Sequence, residues 1–168
     1  FIDPDRRSLE GKKMVRMEDC SPNVIELMPR LKEVANRVAM KLSPLFDVEE
    51  AFRLFPSSEV EVVSIGGECK ELNIYTDAQQ DNLRIAVVGL GEWVFRREDM
   101  QSPCATEPFE ETDWSYLFIP DVAVQKARVA VRALQGVATL WSNNGYGFSK
   151  EAPKGVVPAK VYAIERIE

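Results

Sequence analysis

EVEVVSIGGECKELNIYTDAQQDNLRIAVVGLGEWVFRR, residues 59–97, is the stretch that decides the fold class. From Glu59 the pattern has period two. Val60, Val62 and Ser64 alternate with Glu61, Val63 and Ile65, which puts the two sets on opposite faces of a strand. Gly66-Gly67 suits a tight hairpin turn, whose central residues take positive φ. A second strand follows over Glu68–Thr76, with Leu72 and Ile74 on one face, and Asp77–Asp81 is a polar turn. Leu83–Val88 (LRIAVV) is nearly continuous apolar, the pattern of a central strand. Gly89-Leu90-Gly91 turns the chain into a fourth strand over Glu92–Arg97. Four strands at this spacing predict an antiparallel meander.

Upstream, Asp47 can cap a helix over Val48–Phe55 that turns Val48, Ala51, Phe52 and Phe55 inward, and Pro56 ends it. Before that, Leu31, Val34, Ala35, Val38 and Leu42 form one apolar stripe, which predicts a main helix from Pro29 to Leu42, closed by Ser43-Pro44. Ser21-Pro22 starts a short helical turn that Pro29 interrupts. Residues 1–20 are of mixed charge and little periodicity. They read as a surface arm, with Lys12–Met17 as a short strand in the competing reading.

Downstream, residues 98–113 form one long acidic loop, and Trp114–Ile119 (WSYLFI) reads as a fifth strand. Pro120-Asp121 opens a long helix to Trp141, striped by Ala127, Val131, Leu134, Ala138 and Trp141 and widened by Val124, Val129 and Val137. Residues 142–155 are rich in turn formers, and Lys160–Ile167 alternates as a terminal strand. The expectation is an α+β fold: a mostly antiparallel four- to five-stranded sheet packed by two or three helices, in the order α-α-β-β-β-β-(β)-α-β. Residues 1–20 are the arm and 21–168 a single domain.

The 168 residues contain no histidine. That excludes Ser-His-Asp and Cys-His nucleophile pairs and histidine-bearing metal sites. Cys20, Cys69 and Cys104 are scattered and odd in number, so they form neither a disulfide framework nor a zinc ribbon, and three thiols in an intracellular protein is the simplest account. Gly89-Leu90-Gly91 has two glycines of a dinucleotide-binding turn, but Val94 stands at the third position and a strand follows, so the hairpin reading prevails. Gly136 lacks the Gln or Arg three residues before it that an acyl-CoA pyrophosphate loop needs. Glu98, Asp99, Glu107, Glu110, Glu111 and Asp113 lack the spacing of a calcium loop. Acidic neighbours keep Cys104 inert. No catalytic set, metal site or cofactor is expected.

A net charge of −6 argues against nucleic-acid partners and anionic membranes, and no apolar run reaches spanning length. The segment Asn143-Asn144-Gly145-Tyr146-Gly147-Phe148 combines amides, glycines and aromatics in the manner of binding loops. With Trp114, Tyr116 and Trp141 it makes the expected contact surface: Trp114, Tyr116, Trp141, Asn143, Asn144, Tyr146 and Phe148. These readings together point to a non-enzymatic, intracellular assembly module. Its partner would be another protein or further copies of itself, as in a viral or phage particle. The competing expectation is a small-molecule-binding domain or an enzyme that works through carboxylate, lysine or tyrosine chemistry.

Overall fold

The computed structural model describes residues 1–4, 17, 20–101, 114–142 and 145–165. Within them the chain is α+β, with four helices and two sheets. The first sheet has five strands, β1 (Ala39–Leu42), β2 (Ser58–Ile65), β3 (Glu68–Thr76), β4 (Asn82–Val87) and β5 (Gly91–Arg96), in the order β1-β3-β2-β4-β5. The alternation seen in the sequence sets its faces. Met40, Leu42, Val60, Val62, Leu72, Ile74, Leu83, Ile85 and Phe95 are buried on one side. The β2–β3 hairpin turns at Gly66 (φ +61°) and Gly67 (φ +85°), a conformation that a Cβ would oppose.

The expected meander is corrected at one joint. β2 and β4 are parallel, with Val60 opposite Leu83 and Val62 opposite Ile85. The link 77–81 does not fold β4 back against β3; it steps across the start of β2. The Ala78 N–H donates to the Ser57 carbonyl (2.8 Å) and the Ser58 N–H to Asp81 Oδ1 (3.3 Å), which fastens the crossing. A polar five-residue link reads as a hairpin loop in one dimension, and only its hydrogen bonds reveal the step.

The main helix over Pro29–Leu42 is also corrected. Helix α1 runs over Val24–Val34, capped by the Asn23 side chain, and holds Pro29 inside it. Ala35 is extended, and Val38, Met40 and Leu42 are buried at period two as β1. The apolar stripe through Val38 and Leu42 fits both periods, and sheet pairing decided between them. Helix α2 (Val48–Leu54) forms as read, with Asp47 Oδ1 accepting from the N–H groups of Glu49 and Glu50.

The long helix Asp121–Trp141 is instead α3 (Val122–Lys126), α4 (Ala130–Ala133) and β7 (Thr139–Leu140). Arg128 (φ +57°) and Gly136 (φ +73°) break its course. The residue widening noted in the sequence arises because these pieces are buried on several sides: Ala123, Val124, Ala127, Val129, Ala130 and Leu134 all lie in the core. β6 (Tyr116–Pro120), β8 (Gly147–Ser149) and β9 (Ala159–Ala163) complete a second, antiparallel sheet in the order β7-β8-β6-β9. Its Phe118 and Leu140 join one buried cluster with Val62, Leu72 and Phe52 of the first sheet and α2. No helix of the described residues is long and apolar enough to cross a membrane.

Candidate functional site at the carboxyl edge of the first sheet

The parallel strands select the site. Ile2 pairs in parallel with Met40: its N–H donates to the Ala39 carbonyl (2.8 Å), and its own carbonyl accepts from the Lys41 N–H (2.9 Å). The segment at Ile2, β1, β2 and β4 therefore share one direction, while β3 and β5 oppose it. Helix α1 lies in the connection from Ile2 to β1, as a parallel pair requires. In open sheets of this kind, ligands bind outside the carboxyl ends of the parallel strands.

That edge carries two groups of polar side chains. At one side stands Asp3, directly after the Ile2 pairing and before the buried Pro4. Asp3 Oδ2 accepts from Lys41 Nζ at 3.0 Å, and both side chains remain open to solvent. The hydrogen bond and charge of Asp3 hold the Lys41 ammonium above its ordinary pKa, with Glu71 adding to the effect. Next along the edge, Ser43 ends β1 in a turn: its Oγ accepts from the Leu45 N–H (3.0 Å) and its carbonyl from the Phe46 N–H (2.9 Å).

The other group lies where β2 ends. The buried Ser64, beside a bulge in the β2–β3 ladder, donates from Oγ to Asp121 Oδ1 (2.6 Å), and the same oxygen caps α3 through the Ala123 N–H (2.9 Å). Cys69 stands opposite Ser64 in the ladder, and burial raises the pKa of its thiol, so it is held protonated. Lys126 Nζ donates to the Phe46 carbonyl (2.7 Å), and burial lowers its pKa. Lys160 of β9 also reaches the edge: its Nζ lies 3.6 Å from where a Cβ on Gly67 would stand. These groups mainly satisfy one another, whereas Asp3 and Lys41 face outward and can meet a substrate.

Two further charged clusters lie away from this edge. On the outer face, Arg84 lies between Glu59 (2.6 Å), Glu92 (3.6 Å) and Glu61 (3.9 Å), and Glu61 also accepts from Asn73 and Tyr75. Burial, then the charge of Glu61, lifts the Tyr75 hydroxyl above its ordinary pKa. At the amino edge, Arg97 spans Glu49 and Asp81 over the Phe52 ring. No group of three or more acidic or thiol side chains is placed to hold a metal ion among the described residues.

The residues expected to form a contact surface separate into pairs. The Trp114 and Phe148 rings lie 6.1 Å apart at 37°. The Trp141 backbone N–H donates to the Tyr146 carbonyl (2.9 Å), and both side chains are about half exposed, at 51% and 48%. Tyr116 is half-buried against the core, opposite Ser149 and Ala163. Gly147 sits in close packing: a Cβ there would stand 3.0 Å from Ala138 Cβ and 3.2 Å from Leu140 Cδ2. Asn143, Asn144, Cys104 and the acids at 107–113 lie outside the described residues. Sequence reasoning missed Asp3. The available signal was Phe1-Ile2-Asp3-Pro4, an apolar pair followed by an acid and a proline that cannot continue a ladder.

No family description matches the sequence, and no curated protein matches it. Among solved structures, the fold is similar to that of "putative methyltransferase from Porphyromonas gingivalis W83", with a TM-score of 0.79 and 21% sequence identity. The alignment covers 98% of this chain and 42% of that one, so the chain spans less than half the length of its structural neighbour. This neighbour overturns the expectation of a non-enzymatic assembly module, and with it that of a viral or phage structural component: nearly the whole chain follows a fold found in a protein described as an enzyme. The missing histidine excludes only histidine-dependent chemistry, so it is no argument against an enzyme.

Proposed function

We propose that the chain is part of a methyltransferase and that its carboxyl edge, at Asp3 and Lys41, faces the acceptor. The observation that carries this reading is the parallel pairing of Ile2 with Met40, which sets Asp3 at the carboxyl end of a β-α-β unit. The similarity of fold supports the choice of reaction. In methyl transfer from a sulfonium donor, an in-line lone pair on the acceptor forms the new bond to the methyl carbon as the sulfur–carbon bond breaks and a neutral thioether leaves, and an acceptor atom that carries a proton sheds it. A carboxylate within hydrogen-bond reach orients that atom and then accepts the proton. Lys41, paired with Asp3 at 3.0 Å, aims the carboxylate. On this reading the chain binds and orients the acceptor and takes its proton.

The test uses the longest polypeptide that carries this chain, supplied with a methyl-labelled sulfonium donor and, in separate reactions, nucleic-acid, protein and small-molecule fractions. Label should pass into one fraction, and Asp3→Asn should slow that transfer by about 10²–10⁴-fold. Transfer to none of them by folded protein, or an Asp3→Asn variant as fast as its parent, would overturn the reading.

A further inference from the structure

At the amino edge, opposite Asp3, lies a cavity of about 430 Å3 between the ends of α1 and α2 and the loop after β3. Its size falls within the range of small-molecule sites. Its floor is apolar, formed by Met28, Leu54 and the buried Phe55. Its rim carries Lys32, Ser57 and Asp77, and none of these side chains makes a hydrogen bond or ion pair among the described residues. The backbone gives an independent sign. Among the described residues only Ser57 (φ +57°), Asp77 (φ +67°) and Arg128 are non-glycine residues in the left-handed region. Two of the three stand on this rim, tied together by the bond from the Ala78 N–H to the Ser57 carbonyl (2.8 Å). Residues held in that conformation gather at ligand sites, where packing over-determines them.

We infer that this cavity binds a small zwitterion with an apolar body, the class of apolar amino acids. A free cation and a free anion on one rim fit a ligand that carries both charges. Lys32 meets its carboxylate, Asp77 meets its ammonium, and its side chain covers Met28, Leu54 and Phe55. A ligand with a single charge would make only one of these two charged contacts. The site lies at the other end of the sheet from Asp3 and stands independently of the proposed methyl transfer.

The probes are L-phenylalanine, its amide, which lacks the carboxylate, and 3-phenylpropionate, which lacks the ammonium, titrated into the folded chain with amide NMR shifts as readout. L-Phenylalanine should saturate with a Kd on the order of 1 mM, shifting residues 54–57 and 76–77. Each single-charge analogue should bind about tenfold more weakly. Lys32→Met keeps the apolar stem, and Asp77→Asn keeps a residue that tolerates the left-handed conformation; each should weaken L-phenylalanine by about tenfold. Equal binding of all three probes, shifts mapping elsewhere, or no saturation up to the solubility limit would overturn the inference. If a variant unfolds, the analogue series on the unaltered protein still decides.

Discussion

The two sheets bury their inner faces with very different amounts of chain. In the first sheet β2 has eight residues and β3 nine, and burial alternates along β2 from Ser58 to Ser64. In the second, β7 has two residues and β8 three, and no residue of β9 is buried. The first sheet is a local pattern repeated until it dictates a face. The second is held by what surrounds it: Gly147 admits Ala138 and Leu140, and Asp121 joins it to the end of β2. A sheet of short strands depends on tertiary contacts that a long alternating sheet needs less.

The strongest challenge to this contrast is to empty the core on each side. Phe52 of α2 and Phe118 of β6 are both fully buried in one apolar cluster. Phe52→Ala and Phe118→Ala should each cost about 3–5 kcal/mol in urea unfolding, and each should leave a single transition by circular dichroism and tryptophan fluorescence. A biphasic curve for Phe118→Ala, with the first sheet untouched, would show that the second sheet folds by itself.

A smaller effect probes the joint between them. Ser64→Ala removes one of the two donors to Asp121 Oδ1 and should cost about 1–3 kcal/mol. Hydrogen-exchange protection should fall over α3 more than over β2–β3. Equal loss in both elements would mean that the bond does not act as a fastening between the sheets.

The smallest effect concerns α2, which covers the first sheet. Arg53 bonds to Glu50 and holds its carboxyl below its ordinary pKa. A depressed carboxyl contributes stability above its unfolded-state pKa and loses it as pH falls through the folded value. Both side chains are largely exposed, so the contribution is only a few tenths of a kcal/mol. The Tm of the parent should therefore exceed that of Glu50→Gln slightly at neutral pH, and the gap should close as pH drops below about 4. A gap that persists in acid would assign the stabilisation to something other than charge.

The legible parts of this fold share one property: their signal lies within a few consecutive residues. Val60 to Ile65, Gly66-Gly67 and the Asp47 cap were each readable where they stand, and each formed. The unreadable parts needed a distant partner. Met40 is buried because Ile74 on one side and Ile2 on the other pair with it, although Val38 and Leu42 also suit a helix. Arg128 turns left-handed while its side chain pairs with Asp47, which lies far away in sequence. The candidate site was the least legible of all. Nothing in Phe1-Ile2-Asp3-Pro4 states that Ile2 enters a sheet in parallel, and that pairing alone gives Asp3 its position.

The sequence by itself determined the α+β class, strands β2 to β5, helix α2 and the exclusion of histidine chemistry, because side-chain period, turn residues and residue inventory are local properties. The tertiary structure alone decided the parallel pairing of β2 with β4, the division of the 121–141 segment and the edge on which Asp3 stands. Strand partner and direction come from contacts between residues far apart in the chain, and a local pattern of apolar residues is satisfied equally well by more than one partner.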